Sequence, residues 1–109
     1  MSAYLLLFIG LTAQPDATDD RTADYNRQWG EYMGSLAQAG KLGSGAALAP
    51  GGKTVTADGA TDFSPAEVDI GGYILAEADS LDEAAEIASR APHIALGGTT
   101  IVRPCLVQG

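Results

Sequence analysis

The stretch from Ile70 to Pro104 constrains the fold more than any other part of this chain. It runs Ile70-Gly71-Gly72-Tyr73-Ile74-Leu75-Ala76-Glu77-Ala78, then Ser80-Leu81-Asp82-Glu83-Ala84-Ala85, then Ala91-Pro92-His93, and ends Gly97-Gly98-Thr99-Thr100-Ile101-Val102-Arg103-Pro104. Tyr73 to Ala78 reads as a strand. Ser80 and Glu83 have the spacing of a capping box, in which serine hydroxyl and glutamate carboxylate each satisfy the other's backbone N–H. Leu81, Ala84, Ile87 and Ala88 then supply the buried face of a helix. Arg90 suits the negative end of its dipole, and Pro92 cannot continue it. Thr99 to Val102 closes the segment as a second strand.

The first half repeats this order. Ala3 to Ile9 is an unbroken apolar run, as expected of a strand covered on both faces. The run from Tyr4 to Leu11 could imitate a signal-peptide core, but no Lys or Arg precedes it and no small-residue cleavage site follows before Pro15, so it reads as a strand. Gln14 to Asp20 is a polar connection. Asp16, Asp19, Asp20 and Asp24 then lead into a helix, where negative charge suits the positive end of the dipole. Tyr25, Trp29, Tyr32 or Met33, and Leu36 form its apolar stripe, and Gly40 is its C-cap. Gly30 and Gly34 interrupt that helix at about 1 kcal/mol each relative to Ala. They either admit a close neighbour or are simply poor helix formers carried by a good stripe. Leu42 to Leu48 is a glycine-interrupted strand, Pro50-Gly51-Gly52 a turn, and Lys53 to Ala57 a short strand or hairpin arm. Asp58 to Asp69 reads as an irregular acidic loop around Phe63, long enough to suspect a purpose.

The resulting order, β-α-β-(β)-β-α-β, is an α+β domain: a ferredoxin-like antiparallel sheet with two helices on one face. The first strand, however, is apolar on both sides, with Tyr4, Leu6 and Phe8 facing one way and Leu5, Leu7 and Ile9 the other. The side without helices would be an apolar patch of a size rarely left exposed, and a second copy packing sheet on sheet would cover it.

Composition removes several classes of function. The chain has 109 residues, 46% of them hydrophobic and 18% charged, which is enough apolar content for one folded domain over residues 1–109. The net charge of −8 gives no basic footprint for nucleic acid or for an anionic membrane surface. No run reaches the length of a membrane span. The lone Cys105 cannot form an internal disulfide, in keeping with a reducing cytoplasm. No Cys/His cluster has metal-site spacing, so neither metal nor cofactor is expected. The glycine pairs lead into strands and do not make a phosphate loop.

Taken together, Gly71-Gly72-Tyr73, the Leu81-Asp82-Glu83-Ala84 helix start, Ala91-Pro92, Gly97-Gly98 and Val102-Arg103-Pro104 resemble the YCII-related proteins, nearest the branch with a DGPF-type motif. Trp29, Leu36, Gly40, Gly45 and Leu48 also sit where that family's first helix and second strand place such residues. The resemblance implies a ferredoxin-like subunit pairing into a dimeric α/β barrel, with a cleft between helix, long loop and sheet. It also implies an acid–base role for a His–Asp pair, suggested for the wider family. Two departures stand out. The Asp-Gly-Pro-Phe motif is here Asp62-Phe63-Ser64-Pro65, so only Asp62 and Phe63 carry over, and the first helix has no histidine.

The candidate site residues each have a plain alternative. His93, the only histidine, is an acid–base candidate if Asp62 lies beside it to orient the imidazole; otherwise it is a polar residue after a helix-ending proline. Asp62 is its partner or the acceptor of an Asx-turn. Glu67 and Asp58 read as solvated loop charges. Trp29 and Tyr32 are aromatic walls for a flat ligand, or core, and Phe63 in the loop is a further ligand-binding candidate. Arg103 binds a ligand carboxylate, sits in an ion pair at a dimer interface, or simply snorkels to solvent. Cys105 reads as a small hydrophobe. The function expected is therefore a homodimeric domain binding a small polar or aromatic molecule. The alternatives are a cofactor-independent lyase or isomerase using His93 and Asp62, and an accessory protein-interaction module.

Overall fold

Strand β1 (Ser2–Ile9) lies at the centre of a four-stranded antiparallel sheet whose order is β2-β5-β1-β6. These coordinates are a computed structural model, and it describes residues 2–10, 20–48, 51–63 and 70–106. The other elements are α1 (Asp20–Gln38), β2 (Leu42–Ala47), β3 (Lys53–Thr56), β4 (Gly59–Asp62), β5 (Ile70–Ala78), α2 (Leu81–Ser89), a 3₁₀ turn η1 (Ile94–Leu96) and β6 (Thr99–Pro104). With the β3–β4 hairpin set aside as an insertion, this is the ferredoxin-like α+β order and pairing. The Gln14–Asp19, Ser64–Asp69 and Pro50 portions of the sequence reading lie outside the described residues.

Alternation along β1 sends Tyr4, Leu6 and Phe8 under the helices, where all three are buried. Leu6 is flanked by Ile74 of β5 and Val102 of β6. From above, Tyr32 and Leu36 of α1 and Ala84, Ile87 and Ala88 of α2 close the core. Each large apolar side chain fully buried there contributes about 1.5–3 kcal/mol. On the opposite face, Leu5 and Leu7 are only half-buried, and their cross-strand neighbours are Leu75, Tyr73 and Ile101.

The helix ends follow local chemistry. At the end of α1, Gly40 takes φ +71°, its N–H donates to Ala37 O and the Lys41 N–H donates to Leu36 O, the two bonds of a Schellman motif. At the start of α2, the Ser80 hydroxyl accepts from the Glu83 N–H at 3.1 Å. The glutamate half of the expected box is diverted, because the Lys41 ammonium donates to the Glu83 carboxylate. That bond, before any other effect, holds the Glu83 carboxyl below the usual carboxylate range.

Three expectations need correction. Leu81 is 49% exposed, since as the first residue of α2 it overhangs the sheet while Ala84, Ile87 and Ala88 reach it. The supposed irregular acidic loop begins as the second arm of a hairpin: Thr56 pairs with Gly59, and Lys53 with Asp62. The two-residue turn is Ala57-Asp58, with Gly59 opening the second arm at φ +129°. Strand β5 starts at Ile70, not Tyr73, and so includes the glycine pair Gly71-Gly72.

Candidate functional site

A cavity of about 660 Å³ lies between α1 and the β2 side of the sheet, within the range of small-molecule sites. Its origin is legible in β2. The residues this strand pairs above the sheet are Leu42 opposite Ala76, Gly45 opposite Ile74 and Ala47 opposite Gly72, with a register shift between Leu42 and Gly45. Beyond Leu42 the strand therefore has almost no side chain with which to fill the gap to the helix. Gly45 is obligatory there, because a Cβ would stand 2.5 Å from Tyr73 O and 2.8 Å from Ile74 Cγ2. On the helix side, Tyr25, Trp29 and Met33 form an apolar wall, and Gly30 leaves an opening where a Cβ would meet nothing within 4 Å.

Trp29 is the hub of an aromatic cluster at the inner end. Its ring meets Phe8 edge-on at 4.9 Å and lies 5.6 Å from the His93 ring at an interplanar angle of 23°, a stacked pair. His93 also meets Phe8 edge-on at 5.3 Å. It is 2% exposed and lines the cavity. Its Nε2 lies 2.9 Å from Thr99 O and 3.2 Å from Thr100 Oγ1. A carbonyl oxygen can only accept, so Nε2 carries the proton, and in the neutral ring Nδ1 is a bare lone pair. Among the described residues that Nδ1 has no hydrogen-bond partner. The ring is fixed from behind by Gly98, where a Cβ would stand 2.5 Å from His93 Cδ2.

Of the residues singled out in the sequence, Trp29 and His93 are brought together at the cavity, Tyr32 meets Trp29 edge-on at 5.7 Å from the core side, and the others are placed elsewhere. Asp62 is 87% exposed on the hairpin, with its Oδ1 2.5 Å from Lys53 Nζ, in a cross-strand ion pair and not hydrogen-bonded to the imidazole. Phe63 follows that hairpin, 37% exposed, its N–H donating to Gly52 O. Tyr32 belongs to the core, where its hydroxyl donates to Ile87 O at 2.8 Å, and burial pushes its phenol up to about 12. Arg103 is exposed on the helix-free face, in register with Leu5. Cys105 is half-buried, and Asp58 is exposed in the hairpin turn. Sequence reading missed Phe8, Asn26, Met33 and Gly45 as cavity residues. The small residues of β2 were the available signal, since a strand that presents no side chains toward a helix must leave space there.

Among the described residues no group of three His, Cys, Asp or Glu side chains is placed to hold a metal ion. No helix there is long and apolar enough to cross a membrane.

A four-stranded antiparallel sheet in ferredoxin-like order, roofed by two helices and opened by a cavity at one rim, defines a small α+β domain of the ferredoxin-like class. The family model for the YCII-related domain matches residues 6–105, and the chain belongs to that family. No curated protein matches significantly. Among solved structures, the chain is similar to the 5-chloro-2-hydroxyhydroquinone dehydrochlorinase TftG from Burkholderia phenoliruptrix AC1100, determined in complex with 2,5-dihydroxybenzoquinone. The TM-score is 0.58 at 17% identity, covering 98% of this chain and 95% of that one, a likeness of fold.

Proposed function

We propose that this YCII-related protein is a homodimeric binding domain for a small, flat, largely apolar molecule held between α1 and β2. The observation that carries the reading is the 660 Å³ cavity with the Trp29 ring in its wall and glycine and alanine on its β2 side. An aromatic face offers stacking to a planar ring, and the side-chain-free strand leaves room for one. The fold shared with TftG, whose complex holds a dihydroxybenzoquinone, supports a ring compound as the ligand class.

A second reading, a cofactor-independent lyase or isomerase, is favoured by one observation: the Nε2 bond to Thr99 O makes Nδ1 the lone-pair nitrogen of the neutral ring, the position from which a general base would act. It would work without Asp62, which is engaged by Lys53.

Trp29 is the only tryptophan, so its fluorescence reports the cavity directly. Titration with phenol, hydroquinone and 2,5-dihydroxybenzoquinone should quench it saturably, and Trp29→Phe should weaken binding measured by calorimetry. Failure of every ring compound to bind would remove the binding reading. Consumption of a bound quinone or phenol that is lost in His93→Gln would favour the enzyme.

A further inference from the structure

The geometry points to His93 Nδ1 as the atom that selects the ligand, by accepting a hydrogen bond from a neutral donor on it, a ring hydroxyl or ring N–H. This rests on the binding reading above and names the chemical class that the site takes. Two parts of the imidazole are committed to the connection between η1 and β6: Nε2 to Thr99 O and Thr100 Oγ1, and Cδ2 to the space beside Gly98. Nδ1 and Cε1 form the opposite edge of the ring. His93 is one of the residues lining the cavity, and this uncommitted edge, with Nδ1 itself covered in the free protein, is the one a ligand would have to reach.

Nδ1 is shielded from bulk solvent and unpartnered among the described residues, in a site built from Trp29 and Phe8, whose rings offer no N–H or O–H toward it in a conventional bond. A buried acceptor of this kind is costly to leave unmatched, so a molecule that brings a donor to it gains over an otherwise equal one that cannot. The tautomer sets the sign. With the proton on Nε2, a lone pair faces the ligand, which disfavours carboxylates and phosphates, because these present lone pairs of their own. The net charge of −8 acts in the same direction. Trp29 holds the ring plane by stacking, so the acceptor is preorganised before any ligand arrives.

The test compares phenol with anisole, the same ring with its donor capped by a methyl group. Calorimetry on the wild-type protein should give phenol about ten-fold tighter binding than anisole, with benzoate weaker than either. Because the chain has one histidine, the Nδ1 nitrogen resonance is assigned without ambiguity. It should move on addition of phenol and stay in place with anisole. His93→Phe should abolish the preference, and the wild-type comparison stands alone if that variant does not fold. Equal binding of phenol and anisole with an unmoved Nδ1 resonance, as a resident water on Nδ1 would produce, overturns the inference while leaving the binding reading intact. If no ring compound binds, both fall.

Discussion

Gly98 and His93 are packed so closely that no methyl group fits between them: a Cβ on residue 98 would lie 2.5 Å from Cδ2, 2.9 Å from His93 O and 3.0 Å from Cγ. Gly98→Ala should therefore push the imidazole against Trp29, costing about 1–3 kcal/mol in chemical denaturation and altering the near-ultraviolet dichroism of the aromatic cluster. Tyr32 gives a prediction with a definite sign. An unfolded chain releases a phenol proton near 10, as expected for a free tyrosine, whereas the folded protein holds it to about 12 because burial penalises the phenolate. Between those values the unfolded state binds fewer protons, so stability should fall as pH rises through that window. Denaturation midpoints measured from pH 9 to 12 should show the decline, and Tyr32→Phe should flatten its tyrosine-dependent part. Neither effect could be read from sequence. Tyr32 and Trp29 lie three apart on one stripe, yet one caps a helix carbonyl and the other walls a cavity.

The elements were largely legible because their signals are local. The unbroken apolar run of β1, the Ser80 cap, Gly40 and Pro92 all act within a turn or two of chain, and each element they delimit is present. The site was less legible because it depends on contacts distant in sequence. His93 is aligned by Thr99 and Gly98 close by, but its stack with Trp29 bridges 64 positions, and no spacing rule relates them. The pairing of Asp62 with His93 fails for a similar reason: Asp62 is fixed by its own hairpin register opposite Lys53. Within α1, the two glycines separate cleanly. A Cβ meets nothing within 4 Å at Gly34, which is exposed and outside the cavity, or at Gly30, which lines it. Gly34→Ala should add about 1 kcal/mol and raise the melting temperature by roughly 4–8 °C with ring binding unchanged. Gly30→Ala should bring a similar gain in stability but weaken binding, because its methyl group enters the cavity.

At the scale of the whole molecule, the protein is a slab of 43 × 38 × 20 Å, with the thinnest dimension matching one sheet and one layer of helices. The second face of the sheet carries Leu5, Leu7, Tyr73, Leu75 and Ile101 side by side. This arrangement supports the proposed pairing of two copies through that face. Leu7 lies between Tyr73 and Ile101 at its middle. Leu7→Glu should convert a dimer into a monomer in sedimentation velocity runs at micromolar concentration, whereas a wild-type protein already monomeric there would dismiss the pairing. The rim of the slab has its own consequence. Leu42 to Ala47 is an outermost strand made chiefly of glycine and alanine, bound to the rest through one ladder and with little side-chain packing to secure it. Its amides should be the first of the sheet to exchange with deuterium, and an occupant wedged behind it should slow them, so that this border would act as the doorway of the chamber it encloses.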